Sequence, residues 1–213
     1  MRRSSTLASV EQYVSAVRET QGEMWLFAYG SLMWHTPAGV TVLRREQATL
    51  HGYERSFCVY SRNYRGSPDA PGLVLGLQPS DTGHCEGVAA CLGYANDATA
   101  QASLENIDAQ EMITRSNPLP VYLRRLEPVV LGSTPDRATT VLALAYTTNS
   151  APGATAPPDL PLSRRAAIIA QASGGRGPNR EYLEQTAAQL KALAIVDEHV
   201  ERLLAHIESH APK

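Results

Sequence analysis

Short runs of apolar and β-branched residues, separated by turn-forming residues, fill the middle of the chain, and this pattern restricts the fold more than any other feature. Four runs between residues 24 and 95 are separated by Gly, Pro, Asn and Asp clusters; they read MWLFAY, QATLHGYERSFCVY, PGLVLGLQP and CEGVAACLGY. A helical pattern follows at 98–112, after which VYLRRLEPVVL and TTVLALAYTT restore the β pattern around the turn GSTPDRA. The sequence therefore predicts a mostly antiparallel sheet interrupted by one helix.

Helices are predicted on both sides of this sheet, which places the chain in the α+β class. Ser9 followed by Gln12 reads as a capping box and predicts an amphipathic helix over 9–19. After the sheet, the Pro-, Ala- and Gly-rich stretch 149–161 predicts an exposed loop. Three helical segments follow: RRAAIIAQAS capped by Ser163, REYLEQTAAQLKAL capped by Asn179, and VDEHVERLLAHIESH.

Length and composition limit the class of protein and of partner. The 213 residues suit one domain with appendages, and we predict an N-terminal helical appendage at 1–22 and one main domain at 23–213. A net charge of -2 without a sustained basic run argues against a nucleic-acid surface. No window approaches the ~18 apolar residues of a membrane span, and the first residues lack a signal peptide's apolar stretch. We expect a cytoplasmic protein with no membrane partner; the sequence does not set its oligomeric state.

The cysteines and histidines do not have the spacing of metal ligands. Cys58, Cys85 and Cys91 are an odd number without a CxxC pair, so they predict neither a disulfide framework nor a zinc site. They fall inside β runs and are expected to be small buried residues. The six histidines form neither HxH nor HExxH. We therefore expect no bound metal.

The predicted helix at 98–112 carries a carboxylate on its apolar stripe. Leu104, Ile107 and Glu111 are spaced i, i+3 and i+7, which puts Glu111 about 20° from Leu104 around the helix axis. Burying an ionised carboxylate without a partner is costly. Glu111 is therefore paired with an arginine, exposed because the helix ends early, or kept in a pocket for chemistry. The helix pattern leaves these three alternatives open.

The first β run ends in the polar turn Tyr29, Gly30, Ser31 and Leu32. The backbone amides of Gly30, Ser31 and Leu32 leave the sheet together, and glycine allows a sharp bend and the close approach of a ligand. Such a turn is suited to an anion such as a carboxylate or phosphate. The other reading is a plain exit from the strand, with Ser31 hydrogen-bonded to its own backbone.

Four segments together resemble the ChaC-type, glutathione-specific gamma-glutamylcyclotransferases, in the order in which that family has them. LFAYGSLMW is similar to the family's opening strand and loop, and GYERSFCVYSRNYRGSPDAPGLVLGLQPSDTGHCEGVAACL to its long central signature. DAQEM occupies the place of its catalytic element, and GPNREYL resembles its late Gly-x-Asn-x-x-Tyr-Leu stretch. The likeness covers about residues 24 to 205.

The resemblance implies a fold, a reaction and a set of site residues. The implied fold is a gamma-glutamylcyclotransferase-like mixed β-barrel with flanking helices, which makes 23–213 the catalytic domain. The implied reaction converts glutathione to 5-oxoproline and cysteinylglycine without metal or other cofactor. The implied residues are Glu111 as general acid/base, and a substrate-binding set comprising Tyr29, Gly30, Ser31, Leu32, Arg65 and Tyr182.

Two departures from the family pattern affect the expected substrate. Gln110 stands where the family usually has arginine, and MITRSNPLPVY follows where glycine and tyrosine are common. Three readings follow: a glutathione-degrading cyclotransferase, a cyclotransferase for another gamma-glutamyl amine or peptide, and a non-catalytic binding protein of the same fold. The first two require Glu111.

Overall fold

The computed structural model describes residues 5–6, 9–20, 22–112, 120–132, 139–149 and 153–209. The chain forms two compact units: Met1–Glu54, Leu77–Ile113 and Tyr122–Thr147 make the first, and Arg55–Gly76, Thr114–Val121 and Thr148–Lys213 the second. The strands are β1 (Ser5–Thr6), β2 (Met24–Ala28), β3 (Thr41–Ser61), β4 (Gly72–Gly93), β5 (Tyr122–Leu131), β6 (Thr139–Thr148), β7 (Ser173–Gly174) and β8 (Gly177–Pro178). The helices are α1 (Val10–Thr20), α2 (Asp97–Glu111), α3 (Leu162–Gln171), α4 (Asn179–Ala192) and α5 (Glu198–Ser209).

The sheet of the first unit closes on itself. Its strand order is β1-β5-β3-β4-β2-β6, and an additional pairing of β5 with β6 completes the ring. β2 is antiparallel to β4, with Met24 opposite Leu92, and parallel to β6, with Trp25 opposite Ala143. The α+β class and the mixed β-barrel with flanking helices are confirmed.

One sequence prediction within the sheet needs correction. PGLVLGLQP and CEGVAACLGY were expected as separate strands, but both belong to the single strand β4. The polar residues between these two runs are largely exposed, but their backbone stays extended. The strand therefore continues through a polar segment that the sequence pattern indicated as a break between strands. The predicted turn GSTPDRA covers 132–138, and its residues 133–138 lie outside the described part of the chain.

β2 is buried at all five of its positions, which explains why its sequence reads as a continuous apolar run. It lies between β4 and β6 rather than at an edge of the sheet. Trp25 and Phe27 are each 1% exposed. Fully burying one such side chain contributes about 1.5 to 3 kcal/mol, so β2 is a main source of the first unit's stability.

α1 is attached to both β2 and α2. Ser9 and Gln12 form the predicted capping box, with each backbone amide donating to the other side chain at 3.4 Å. The hydroxyl of Tyr13 donates to the carbonyl of Trp25 at 2.5 Å and accepts from its amide at 3.0 Å. Arg18 forms an ion pair with Asp97 at the start of α2. The predicted helix thus packs on the sheet through a fully buried tyrosine.

The second unit contains α3, α4 and α5 and the end of β3. The stretch 149–161 was predicted as an exposed loop, and this exposure is wrong for the centre of the stretch. Ala154 and Ala156 are only 3% and 1% exposed. Their backbones bond to β3, since Tyr60 donates to the carbonyl of Ala154 and Ala156 donates to that of Cys58. Alanine side chains are small enough to let this segment lie against the strand, which a Pro- and Gly-rich composition does not reveal.

Both predicted caps of the second unit's helices are wrong. α3 begins at Leu162 after Pro161, so Ser163 lies inside the helix. α4 begins at Asn179 itself after Pro178. The side chain of Asn179 instead accepts from the amide of Leu73 at 2.7 Å and donates to its carbonyl at 2.8 Å. Asn179 is fully buried. Its side chain pairs with the backbone amide and carbonyl of Leu73 in β4, as the backbone of a neighbouring strand would.

We predict that Asn179→Ala destabilises the protein by roughly 2 to 5 kcal/mol, because it leaves a buried amide and a buried carbonyl without partners. Urea denaturation followed by circular dichroism measures the change. The control is Asn106→Ala, the same substitution at an exposed position of α2. Equal midpoints for the two variants would contradict the assigned role of Asn179.

Candidate functional site

The chain turns sharply after β2 and forms a short 3₁₀ helix over Ser31–Met33. The carbonyl of Gly30 accepts from Met33 at 2.8 Å, and that of Ser31 accepts from His35 at 2.8 Å. Among the residues that the structure describes, none accepts from the amides of Gly30, Ser31 or Leu32. The amides of the turn are therefore not used by the hydrogen bonds described for this part of the chain, and an anion-binding nest at this turn stays a prediction.

Tyr29 fixes this turn to the neighbouring strand. Its side chain is buried, and its hydroxyl donates to the backbone carbonyl of Tyr146 in β6 at 2.7 Å. β6 runs parallel to β2, so the chain leaves β2 at the same end at which Tyr146 lies. The bond ties the start of the turn to β6.

Tyr146 also bonds through its own hydroxyl, which donates to Oδ1 of Asp108 in α2 at 2.6 Å. The other carboxylate oxygen of Asp108 lies 3.2 Å from Nη1 of Arg124 in β5. Burial raises the pKa of Tyr146 well above its ordinary value, and the negative charges of Asp108 and Glu111 act in the same direction. Tyr146 therefore remains protonated near neutral pH and acts as a donor.

Asp108 is the acceptor in this group of side chains. Burial raises the pKa of its carboxyl above the ordinary value, while the bond from Tyr146 and the charge of Arg124 oppose that shift. A carboxylate that accepts from a tyrosine and faces a guanidinium forms the stronger, charge-assisted kind of hydrogen bond.

Glu111 is the last residue of α2, one turn after Asp108. Leu104 and Ile107 on the same stripe are 1% and 0% exposed, whereas Glu111 is half-buried. The side-chain amide nitrogen Nε2 of Gln110 donates to Oε1 of Glu111 at 3.0 Å. The early end of the helix thus exposes Glu111 in part and leaves it beside the polar group around Tyr146.

Three members of this group were missed by the sequence reading: Asp108, Arg124 and Tyr146. Asp108 had a usable signal, because it stands four residues after Leu104 and three before Glu111, on the same helix face. Tyr146 had none, since an aromatic residue within an apolar strand reads as core. Arg124 also lacked one, because it sits in a strand with a second arginine.

Arg65 and Tyr182, expected from the resemblance to bind substrate, belong to the second unit. Nη1 of Arg65 donates to the carbonyl of Pro178 at 3.0 Å and to Glu181 at 3.4 Å. Tyr182 is buried, with its ring edge-on to Phe57 at 5.7 Å, and Arg65 lies over the same ring. These contacts give both side chains a packing role; their contact with substrate stays a prediction.

Two further features concern metals and membranes. Within the described ranges, no three or more His, Cys, Asp or Glu side chains are grouped so that they could hold a metal ion. Nor does any helix in that part of the chain have the length and apolar character needed to cross a bilayer. Cys58, Cys85 and Cys91 are buried and form no disulfide with one another, and burial raises the pKa of Cys58 to about 12.

The fold is similar to that of solved cyclotransferases. The crystal structure of a yeast gamma-glutamyl cyclotransferase specific to glutathione matches with a TM-score of 0.72 and 21% identity, covering 88% of this chain and 96% of that chain. A second structure described as this yeast enzyme matches with a TM-score of 0.68 and 20% identity, covering 88% and 99%. At these identities the likeness establishes the fold.

The sequence also matches characterised relatives. Gamma-glutamylcyclotransferase 2-3 of Arabidopsis thaliana is 31% identical over 190 residues, which cover 83% of this chain and 84% of that protein. The glutathione-specific gamma-glutamylcyclotransferase of Escherichia coli K12 is 30% identical over 197 residues, which cover 91% and 76%. The model of the ChaC-like protein family matches residues 24–210. The chain therefore belongs to the ChaC-like family.

Proposed function

We propose that the protein is a gamma-glutamylcyclotransferase that cleaves glutathione to 5-oxoproline and cysteinylglycine, with 23–213 as its catalytic domain. The names of its relatives support this activity. The observation that carries the proposal is that Tyr146 bonds to the YGSL turn at one end and to the helix of Glu111 at the other. These two bonds support the proposal because they connect the YGSL turn to the helix that ends at Glu111 within one unit. The buried cysteines, which form no disulfide with one another, suit a cytoplasmic location.

The substrate supplies its own nucleophile in this reaction. The α-amine of the gamma-glutamyl residue attacks the gamma-carbonyl carbon, a five-membered ring forms, and the amide bond to cysteine breaks. Because the attack is intramolecular, much of the entropy of bringing the reactants together is already lost in the substrate. The protein has to fold the substrate and move protons.

Glu111 is proposed to move those protons. Near neutral pH the α-amine is mostly ammonium and cannot attack, so Glu111 as carboxylate accepts a proton from it. After the attack the ring nitrogen carries two protons and loses one of them to solvent. The protonated Glu111 then donates to the departing cysteinyl nitrogen, which needs a proton to leave as an amine. One half-buried carboxylate serves both steps and is restored at the end.

The YGSL turn is proposed to hold the gamma-glutamyl end. The amides of Gly30, Ser31 and Leu32 suit the α-carboxylate, because backbone donors in a nest favour a negatively charged oxygen. The same donors are also suited to the oxyanion that develops on the gamma-carbonyl. Both roles place the reacting carbon beside the turn.

We predict that purified protein releases 5-oxoproline from glutathione with EDTA present, and that Glu111→Gln abolishes this turnover because the amide cannot accept the proton. Mass spectrometry of 5-oxoproline is the measurement, with gamma-glutamyl-alanine and a gamma-glutamyl amine as parallel substrates. Glu105→Gln is the matched control, since it makes the same change at an exposed position of α2.

The outcomes separate the readings. A Glu111→Gln protein with near wild-type rate refutes the acid/base role. Preference for another gamma-glutamyl compound assigns the enzyme that substrate, and the neutral Gln110 beside Glu111 is the residue to examine first. Binding of glutathione without any turnover of these substrates by the wild type identifies a binding protein.

We predict that Gly30→Val weakens glutathione binding at least about 10-fold, because a branched side chain closes the approach to the amides of the turn. Calorimetry is performed in the Glu111→Gln background, so that the ligand is not consumed. Urea denaturation shows whether the double variant is folded. Unchanged affinity in a folded Gly30→Val protein contradicts the proposed nest.

A further inference from the structure

We propose that Asp108 and Tyr146 are positioning residues, which hold Glu111 and the YGSL turn at a fixed separation for the reaction. The inference rests on the proposed function and adds to it two residues that do not themselves exchange protons with the substrate. Both lie in the first unit, and both bond to elements that carry the proposed chemistry.

Tyr146 links the two halves of the proposed site directly. Its carbonyl accepts from Tyr29 at the start of the turn at 2.7 Å, and its hydroxyl donates to Asp108 at 2.6 Å. The link passes through one residue of β6, a strand that pairs with both β2 and β5. It therefore has little freedom, because a strand inside a closed sheet has neighbours on both sides.

The end of α2 needs such a link. Its last backbone carbonyls have no amides of a following helical turn as donors. Helix ends also fray more readily than helix interiors. The apolar anchors of the helix, Leu104 and Ile107, both precede Glu111. The carboxylate of Asp108, bonded to Tyr146 and close to Arg124, is the polar anchor of this final turn.

The position of the anchor in the sequence makes it effective for Glu111. Residues three apart on a helix are neighbours on one face, so fixing Asp108 fixes the turn from which Glu111 projects. Displacing a catalytic group by about 1 Å can lower the rate about 100-fold. Substrate binding by the YGSL turn, in contrast, is expected to depend on the bond between the hydroxyl of Tyr29 and the carbonyl of Tyr146.

These contacts predict that removing the hydroxyl of Tyr146 affects kcat more than KM. In Tyr146→Phe the carbonyl that anchors Tyr29 is retained, while the bond to Asp108 is lost. We expect kcat for 5-oxoproline release from glutathione to fall about 10- to 100-fold, with KM within about 3-fold of wild type. Tyr94→Phe is the matched control, because it removes a tyrosine hydroxyl bonded at 2.6 Å to the carbonyl of Gly22 in the same unit, on the surface.

Substitutions of Asp108 test the same link from the helix. Asp108→Asn keeps an oxygen that accepts from Tyr146, so it should retain more activity than Asp108→Ala. The double variant Asp108→Ala/Tyr146→Phe should be no slower than the slower single variant, because both changes break one bond. Hydrogen exchange of a peptide over 104–112 should become faster in Tyr146→Phe, with β2 unchanged.

The results distinguish this inference from the proposed function. If Glu111→Gln is inactive but folded Tyr146→Phe keeps wild-type kcat, the positioning role is wrong and the proposed function stands. Additive losses in the double variant, or a loss confined to KM, also overturn it. If the wild type cyclises no gamma-glutamyl substrate, the proposed function fails and this inference fails with it.

Discussion

The parallel pairing of β2 with β6 is the constraint on which the first unit depends. It brings the strand that ends in the YGSL turn beside the strand that carries Tyr146, with Trp25 opposite Ala143 and Leu26 opposite Leu144. An antiparallel partner would place the other end of β6 at the turn. The pairing of β6 with β5 then closes the sheet and brings Arg124 to Asp108. The position of β6 between β2 and β5 thus both closes the ring and places Tyr146 within the polar group.

The arrangement suits a reaction in which the substrate already contains both reacting groups. A cyclisation needs a bent substrate and a base more than it needs a nucleophile, a metal or a second substrate. Backbone amides in a turn hold an anion without adding a side chain to a crowded site. In the proposed mechanism the partly exposed carboxylate of Glu111 exchanges protons with the substrate, and the proposed positioning residue Asp108 lies one turn back on the same helix. The described contacts account for each of these features with few polar groups.

Local sequence signals predicted the helices and most strands, and two clear failures arose where the deciding contact is distant along the chain. The Ser9–Gln12 cap and the helix stripe at Leu104 and Ile107 depend on residues three or four apart, and the structure has both. Asn179 was expected to cap its own helix, but its side chain bonds to Leu73, 106 residues away. The polar group around Tyr146 was not foreseen for the same reason, because Tyr29 and Tyr146 are 117 residues apart. The proposed roles of Glu111 and of the YGSL turn came from the family resemblance, since the helix pattern alone left three readings of Glu111 open.

We propose that the YGSL turn and Glu111 act on the same gamma-glutamyl group. A crystal structure of Glu111→Gln with bound glutathione tests this arrangement, because the substrate is not consumed. We expect an α-carboxylate or gamma-carbonyl oxygen within hydrogen-bond distance of the amides of Gly30, Ser31 and Leu32. We also expect the α-amine to lie within such a distance of residue 111. Glutathione bound with its gamma-glutamyl end away from the turn, or with its amine out of reach of residue 111, would overturn the proposed arrangement.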